Sequence, residues 1–297
     1  MARVDLGGMS VAYDVVGDRN DQSGAGGGQG RSWVITPGGR FSKDDPGVRE
    51  LAAVLADHGH RVLVWDRPNC GESEVCFRGD SESAMQADVL AQLLEHLDLA
   101  PAVIAGGSGG SRVSLLTAAR HPEVAQGLAV WWITGGPFGL LSLAYHYCSA
   151  SIRAAWTDGM AAVAALPEWA EVIDRYPPNR DRFLAQDPRE FIATLERWMV
   201  AYCPSDDQLV PGLPDDVARA LDLPALVFRS GESDAYHTRA TSEAVAALLP
   251  GARLTEPPWG DREWIERQQA RETGTGLFVR WPLLAPQLHA WSTEALP

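Results

Sequence analysis

Five consecutive residues, Gly106-Gly107-Ser108-Gly109-Gly110, hold the clearest chemistry in this chain. An apolar run, Pro101-Ala102-Val103-Ile104-Ala105, leads into them, and a helical run, Ser111–Arg120, leads out. G-x-S-x-G between a strand and a helix places a serine on a turn too tight for bulky neighbours. Its Oγ is lifted above the C-terminal edge of the sheet, and the backbone N–H of Gly109 points at whatever the serine attacks. Ser108 is therefore the candidate nucleophile. A serine hydroxyl attacks a carbonyl only when a base removes its proton, so the rest of the sequence must supply one.

The elements that would position this turn alternate. Val4–Leu6 and Ser10–Val16 read as a hairpin around Gly7-Gly8. Strands follow at Ser32–Thr36 and Arg61–Trp65, with a helix opening at Asp45-Pro46 and running through Leu55 between them. A helix at about 82–97 carries Leu90, Leu93, Leu94 and Leu97 at helical spacing. The strand before Ser108 and one at Gly127–Ile133 continue the series. Such β–α alternation predicts a mostly parallel sheet with helices on both faces. The alternation stops near 137. From Phe138 to about Asp222 the pattern is helical and aromatic, with Asp187-Pro188-Arg189-Glu190 opening one helix as a capping box. Strand grammar returns at Pro224–Phe228, then a helix at 239–249, a short strand at 252–255 and a last helix after Pro282. The expected organisation is an α/β core (1–136), a helical lid or cap insert (137–222) and the rest of the core (223–297). The glycine-rich stretch 18–30 reads as a linker.

Composition bounds the partners. The chain has 297 residues, a formal net charge of −14 and 45% hydrophobic residues. That supports a sizeable core and argues against nucleic acid or an anionic membrane as partner. No apolar run reaches the length of a membrane span, and the N-terminus runs directly into strand-like sequence with no signal peptide. The four cysteines (Cys70, Cys76, Cys148, Cys203) lack metal spacing and are too few for a disulfide scaffold, so a reduced, cytoplasmic protein is expected. Lys43 is the sole lysine, an arginine bias that suggests a GC-rich bacterial genome.

Four motifs in order give the chain its resemblance to the α/β-hydrolase fold. They are Pro37-Gly38-Gly39, Asp66-Arg67-Pro68-Asn69-Cys70-Gly71-Glu72-Ser73, the turn at Ser108, and Gly231-Glu232-Ser233-Asp234. The resemblance spans nearly the whole chain. It implies an oxyanion hole made by the N–H of Gly109 and one from the loop after the third strand, at Gly39, with Arg40 as the alternative. Pro37 stands where the family often has histidine, a change that backbone donors tolerate. The resemblance also implies that Asp234 orients the catalytic histidine, and that this histidine follows the last strand. Here that stretch reads Arg253–Trp264 and holds no histidine.

The base must then come from elsewhere. His237, three residues after Asp234, is the favoured stand-in. His146, at the start of the insert, is a second candidate, and Asp261 or Glu263 could fill the vacant position. Arg40 could bind a substrate carboxylate or phenolate. Trp131, Trp132, Trp156, Trp198 and Trp259 are expected to wall the pocket, helped by His146, Trp169, Tyr145, Tyr147 and Phe138; Cys70 and Cys148 could border it. An aromatic pocket under helices suits an apolar or polycyclic ligand.

Three functions remain open at this level. The first is an enzyme acting on a small to medium apolar or aromatic ester, lactone or ketone. The second is a non-hydrolytic tailoring enzyme of secondary metabolism, promoting cyclisation or C–C bond formation. The third is a non-catalytic ligand-binding protein. No metal or organic cofactor is implied, and the expected partner is a small molecule, with a homodimer as a further possibility.

Overall fold

The computed structural model describes residues 2–17 and 30–296. The 18–30 linker expected above lies outside them, except for Gly30. Eight strands are present among the described residues: β1 Ala2–Asp5, β2 Ser10–Val16, β3 Ser32–Thr36, β4 Arg61–Trp65, β5 Ala102–Gly107, β6 Ala125–Trp131, β7 Ala225–Phe228 and β8 Ala252–Thr255. They form one sheet in the order β1-β2-β4-β3-β5-β6-β7-β8. β2 is antiparallel to both β1 and β4, and every pairing from β4 to β8 is parallel.

The helices are α1 Val48–Asp57, α2 Glu82–His96, α3 Gly109–Arg120, α4 Pro137–Asp158, α5 Met160–Ala164, α6 Pro167–Arg175, α7 Asn179–Leu184, α8 Pro188–Val200, α9 Asp215–Arg219, α10 Arg239–Leu248, α11 Glu263–Glu272 and α12 Ala285–Ala295. Two departures from the sequence reading stand out. α1 begins at Val48, because Gly47, at φ +102°, is its N-cap and Glu50 accepts the Gly47 N–H at 2.7 Å. α11 was not expected at all, since its sequence EWIERQQARE has too few apolar residues for a periodic stripe.

The apolar runs of the central strands are explained by burial on both faces. Trp33, Ile35, Val62, Val64, Val103, Ala105, Ala129, Trp131 and Phe228 point to the layer of α1, Trp281 and α12. Their neighbours Val34, Leu63, Trp65, Ile104, Leu128, Val130 and Val227 point to the layer of α2, α3 and α10. Helices α4–α9 all fall between β6 and β7, and several anchor in this second layer. Phe77 receives them: its ring centroid lies 5.5 Å from Trp169, 5.3 Å from Phe183, 4.8 Å from Phe191 and 6.0 Å from Trp198. At α8, the Asp187 side chain accepts the Arg189 and Glu190 N–H groups, which fixes the helix start read from sequence. No helix among the described residues is long and apolar enough to cross a membrane.

Away from the C-terminal edge of the sheet, three histidines meet. His60 Nδ1 accepts the Arg31 N–H at 3.1 Å and its Nε2 faces His289 Nδ1 at 3.0 Å, while His58 stacks on His289 at 4.1 Å. Burial, reinforced by His289, His58 and Arg31, lowers the His60 pKa from 6.5 to about 4. A buried base with a lowered pKa stays neutral when folded, while the unfolded chain takes a proton below its ordinary pKa. Stability is then complete above pH 6.5 and falls as the pH drops towards 4, by about 3 kcal/mol from this group. Urea melts at pH 7 and pH 4.5 should show a smaller difference for His60→Gln than for the parent; an equal difference would assign the acid sensitivity elsewhere.

Candidate active site

β5 ends at Gly107 and α3 begins at Gly109, which leaves Ser108 alone in the turn. Its backbone sits at φ 57°, ψ −128°, a strained conformation for a residue with a Cβ that costs about 1–3 kcal/mol. Two contacts hold it there: the Ser108 N–H donates to Trp131 O at 3.2 Å, and the Ser111 hydroxyl donates to Ser108 O at 2.6 Å. The flanking glycines are required by proximity. A Cβ on Gly110 would come within 2.0 Å of Thr36 O, and one on Gly106 within 2.6 Å of Gly110 O. The loop after β3 crosses directly over the serine, so that a Cβ on Gly38 would sit 2.8 Å from Ser108 Oγ.

The loop after β7 brings two more groups to this point. Ser108 Oγ lies 2.9 Å from His237 Nε2, and His237 Nδ1 lies 2.8 Å from Asp234 Oδ2. Asp234 and His237 are both buried. A spacing of three residues looks too short for a hydrogen-bonded pair, and an Asx turn makes it possible. Asp234 Oδ1 accepts the backbone N–H groups of Tyr236 (3.0 Å) and His237 (2.9 Å), curling the loop around the carboxylate. The imidazole therefore returns over Oδ2. Thr238 then caps α10 by accepting the Thr241 N–H, which stops the chain from uncurling. The carboxylate fixes the imidazole tautomer, with the proton on Nδ1 and the lone pair of Nε2 facing the serine hydroxyl. Burial by itself would raise the Asp234 pKa, but His237 and Arg267 outweigh it and hold the carboxyl below the usual carboxylate range.

α11 closes this cluster from the side where a histidine was expected. Arg267 is buried, with Nη2 3.4 Å from Asp234 Oδ2 and Nε 2.9 Å from Glu263 Oε1. Its guanidinium lies 3.8 Å over the Trp132 ring and 4.8 Å from that of Trp264. Burial lowers the Arg267 pKa and raises that of Glu263, each partly offset by the other's charge. Sequence reasoning missed Arg267 because it lies on a helix that the hydrophobic pattern does not reveal.

The two implied oxyanion donors lie side by side. A Cβ built on Gly109 would be 3.4 Å from Gly39 N. Arg67, quoted in the sequence motif but assigned no role, sets the loop. Its Nη2 donates to Gly38 O at 3.1 Å and Gly39 O at 2.7 Å. In a trans peptide the N–H points opposite to the C=O, so holding Gly38 O to one side turns the Gly39 N–H to the other. Arg67→Met is expected to leave the fold intact and lower kcat by about 10–100-fold, less than the loss of a whole oxyanion donor. Steady-state kinetics beside a melting curve would check this, and an unchanged kcat would remove Arg67 from the account.

The pocket over Ser108 has a volume of about 340 Å3. Gly38, Gly39, Phe41, Leu143, Tyr147, Tyr236, Leu277 and Phe278 line it, together with His146 and the α11 residues Trp264, Arg267, Gln268 and Arg271. His146 is thus at the pocket, but it makes no hydrogen bond to Ser108. Asp261 is turned outward to Arg239, and Glu263 to Arg267, so neither carboxylate takes the base position.

The expected tryptophan wall is corrected. Trp131 is fully buried beneath the turn, at 4.9 Å from Trp281. Trp132 is the floor under His237 (centroids 6.3 Å apart), and Trp259 packs behind it at 5.6 Å. Trp198 belongs to the Phe77 cluster and donates to Gly79 O. Trp156 is 79% exposed on the outer side of α4, where Phe138 and Tyr145 are exposed too. Trp169 is buried beside Phe77. Arg40 pairs with Glu82, packs 4.6 Å from the Trp169 ring and lines a separate small cavity behind Gly39. Cys70 and Cys148 are buried outside the pocket lining, and burial pushes the Cys148 thiol up to about 12. The wall is built instead from Phe41, Tyr147, Trp264 and Phe278.

The family described as alpha/beta hydrolase fold matches residues 35–130. An enol-lactonase from Burkholderia xenovorans LB400 superposes with a TM-score of 0.58 over 92% of this chain and 97% of its own, at 23% identity. The chain has the α/β-hydrolase fold. A thermophilic esterase from Thermogutta terrifontis shares this fold at a TM-score of 0.54 and 20% identity, over 92% of this chain and 98% of that one. In sequence, a 2-hydroxy-6-oxononadienedioate/2-hydroxy-6-oxononatrienedioate hydrolase of Escherichia coli K12 is 30% identical over 89 residues, 30% of this chain and 30% of that protein. The first curated relatives are matched over at most 40% of their length. Within this α/β-hydrolase-fold chain, the matched family segment carries Gly38, Gly39, Arg67 and Ser108 but ends before Asp234 and His237.

Proposed function

We propose that the protein is a serine hydrolase acting on a small ester or lactone, with an activated ketone as the related C–C substrate. The observation that carries this reading is His237, whose imidazole bridges Ser108 Oγ at 2.9 Å and Asp234 Oδ2 at 2.8 Å. Ser108 Oγ attacks the carbonyl carbon while His237 Nε2 takes its proton. Asp234 keeps the imidazole in the useful tautomer and stabilises the imidazolium that forms. The N–H groups of Gly39 and Gly109 receive the negative oxygen of the tetrahedral intermediate. His237 then returns the proton to the leaving group, and the acyl-serine is released by water activated at the same Nε2. The similarity to an enol-lactonase, an esterase and a dienedioate hydrolase supports carbonyl chemistry of this kind. The pocket is of a size for a small substrate.

The histidine absent from 253–264 favours a cyclase reading, and His237 at 2.9 Å from Ser108 Oγ removes that support. Turnover of short esters and lactones in 18O-water tests the proposal. One 18O in the released acid is the expected result; unchanged substrate across the panel, from folded protein, would contradict it.

A further inference from the structure

We propose that the substrate is an anion whose carboxylate docks on Arg271 at the outer end of the pocket. This rests on the hydrolase reading for the identity of the reacting carbonyl, and it adds the chemical class of the rest of the molecule. The first observation is the charge of the lining. The chain as a whole carries a formal net charge of −14. Yet the pocket lining contains Arg267, Arg271, His146 and His237 and, among the described residues, no aspartate or glutamate. A wall with no carboxylate of its own in so acidic a protein is complementary to a ligand that brings one.

The second observation separates the two arginines. Arg267 is committed: it is buried between Trp132 and Trp264 and paired with Asp234 and Glu263. Its charge already serves the catalytic acid. Arg271 makes no ion pair among the described residues, whereas nearby Arg239 pairs with Asp261 and Arg280 with Glu266. Trp264, Arg267, Gln268 and Arg271 follow the i, i+3, i+4, i+7 spacing that puts them on one stripe of α11. All four line the pocket. Arg271 therefore stands one turn beyond Arg267, about 6 Å further along the helix axis and away from Asp234.

The chemistry of the position fits a carboxylate. A guanidinium offers two parallel N–H donors that match the two oxygens. The Gln268 amide adds a donor one turn back on the same stripe, and Ser142 and His146 enter the lining from α4. The apolar surfaces of Phe41, Leu143, Leu277 and Phe278 hold the chain between the two polar ends. An anion must also approach a protein that repels it overall, so a local cation at the mouth steers it inward.

The test compares 4-nitrophenyl hydrogen adipate with its neutral methyl ester. The parent protein should favour the anion in kcat/KM by about tenfold or more, the equivalent of one charge-assisted contact. Arg271→Gln should bring the ratio close to one, chiefly through KM for the anion. Calorimetry with adipate and adipamide reads the same subsite without turnover: adipate should bind at least about tenfold tighter, and Arg271→Gln should remove the difference. Equal binding of acid and amide by the parent, or an acid preference that survives in Arg271→Gln, overturns the carboxylate subsite. If neither ester is hydrolysed but adipate binds through Arg271, the subsite stands and the hydrolase reading fails.

Discussion

Ser108→Ala is expected to lower kcat for ester hydrolysis by about 10^6-fold while leaving the fold in place. The size follows from the arrangement of the site. The hydroxyl oxygen is the atom that would bond to the substrate, and its proton is the one that His237 Nε2 accepts across 2.9 Å. Removing Oγ takes away attack and proton transfer together, so a double Ser108→Ala/His237→Ala protein should be little worse than either single one. The oxyanion donors Gly39 and Gly109 belong to the backbone and survive the change. A residual rate above that of water is therefore expected from them and from binding. Folding should not suffer, since the Ser108 hydroxyl supports no structural contact beyond His237 and its backbone N–H and C=O keep Trp131 and Ser111 as partners. Stopped assays with mass detection, beside a melting curve, read both quantities.

Asp234→Asn should lower kcat by about 10^4-fold. The physical reason lies in the two oxygens. Oδ1 accepts two backbone N–H groups, from Tyr236 at 3.0 Å and His237 at 2.9 Å, while Oδ2 accepts the imidazole Nδ1–H at 2.8 Å and the Arg267 Nη2–H at the longer 3.4 Å. An asparagine keeps its carbonyl oxygen where two donors need it and turns its NH2 towards His237. Nδ1 must then accept, and the ring proton moves to Nε2, where it faces Ser108 and cannot remove a proton. The NH2 also meets Arg267 Nη2, which stands 3.4 Å from Oδ2. In the parent protein, Asp234 titrates below the usual carboxylate range. Its contribution is present above its unfolded pKa of 3.8 and is lost only as the pH falls through the lower folded value. The acid limb of the activity profile is accordingly not set by Asp234.

Much of this could be read from residues alone, and the exceptions have identifiable causes. The alternation of apolar runs and the turn at Ser108 specify the sheet and the edge where the site lies. β3 and β4 have the boundaries read from sequence, because each is a short, mostly apolar run ended by proline or a charged residue; β8 agrees as well, set between Gly251 and Glu256. His237 was legible only as the histidine on the right edge. Whether it could reach the serine depended on the Asx turn at Asp234, which is a matter of backbone geometry. The turn and the α10 cap at Thr238 are ordinary local structure, and here they are what aims the imidazole. Arg267 and Arg271 were not legible, since α11 has only Trp264, Ile265 and Ala270 as apolar residues, too few for a periodic stripe. The tryptophans misled for a different reason. A large ring is equally suited to a core, a pocket or a surface, and composition does not say which. Trp131 and Trp198 fill cores, Trp156 faces outward, and the pocket takes the rings of Phe41, Tyr147, Tyr236, Trp264 and Phe278 from five separate segments.

The central claim is that Ser108 is a nucleophile activated by His237. A fluorophosphonate probe tests it most directly, because it phosphonylates only a serine whose proton is being removed. Intact mass and peptide mapping should find one adduct, on Ser108, with labelling slowed by orders of magnitude in His237→Ala. Folded parent protein that stays unlabelled, or an adduct on any other residue, would contradict the account.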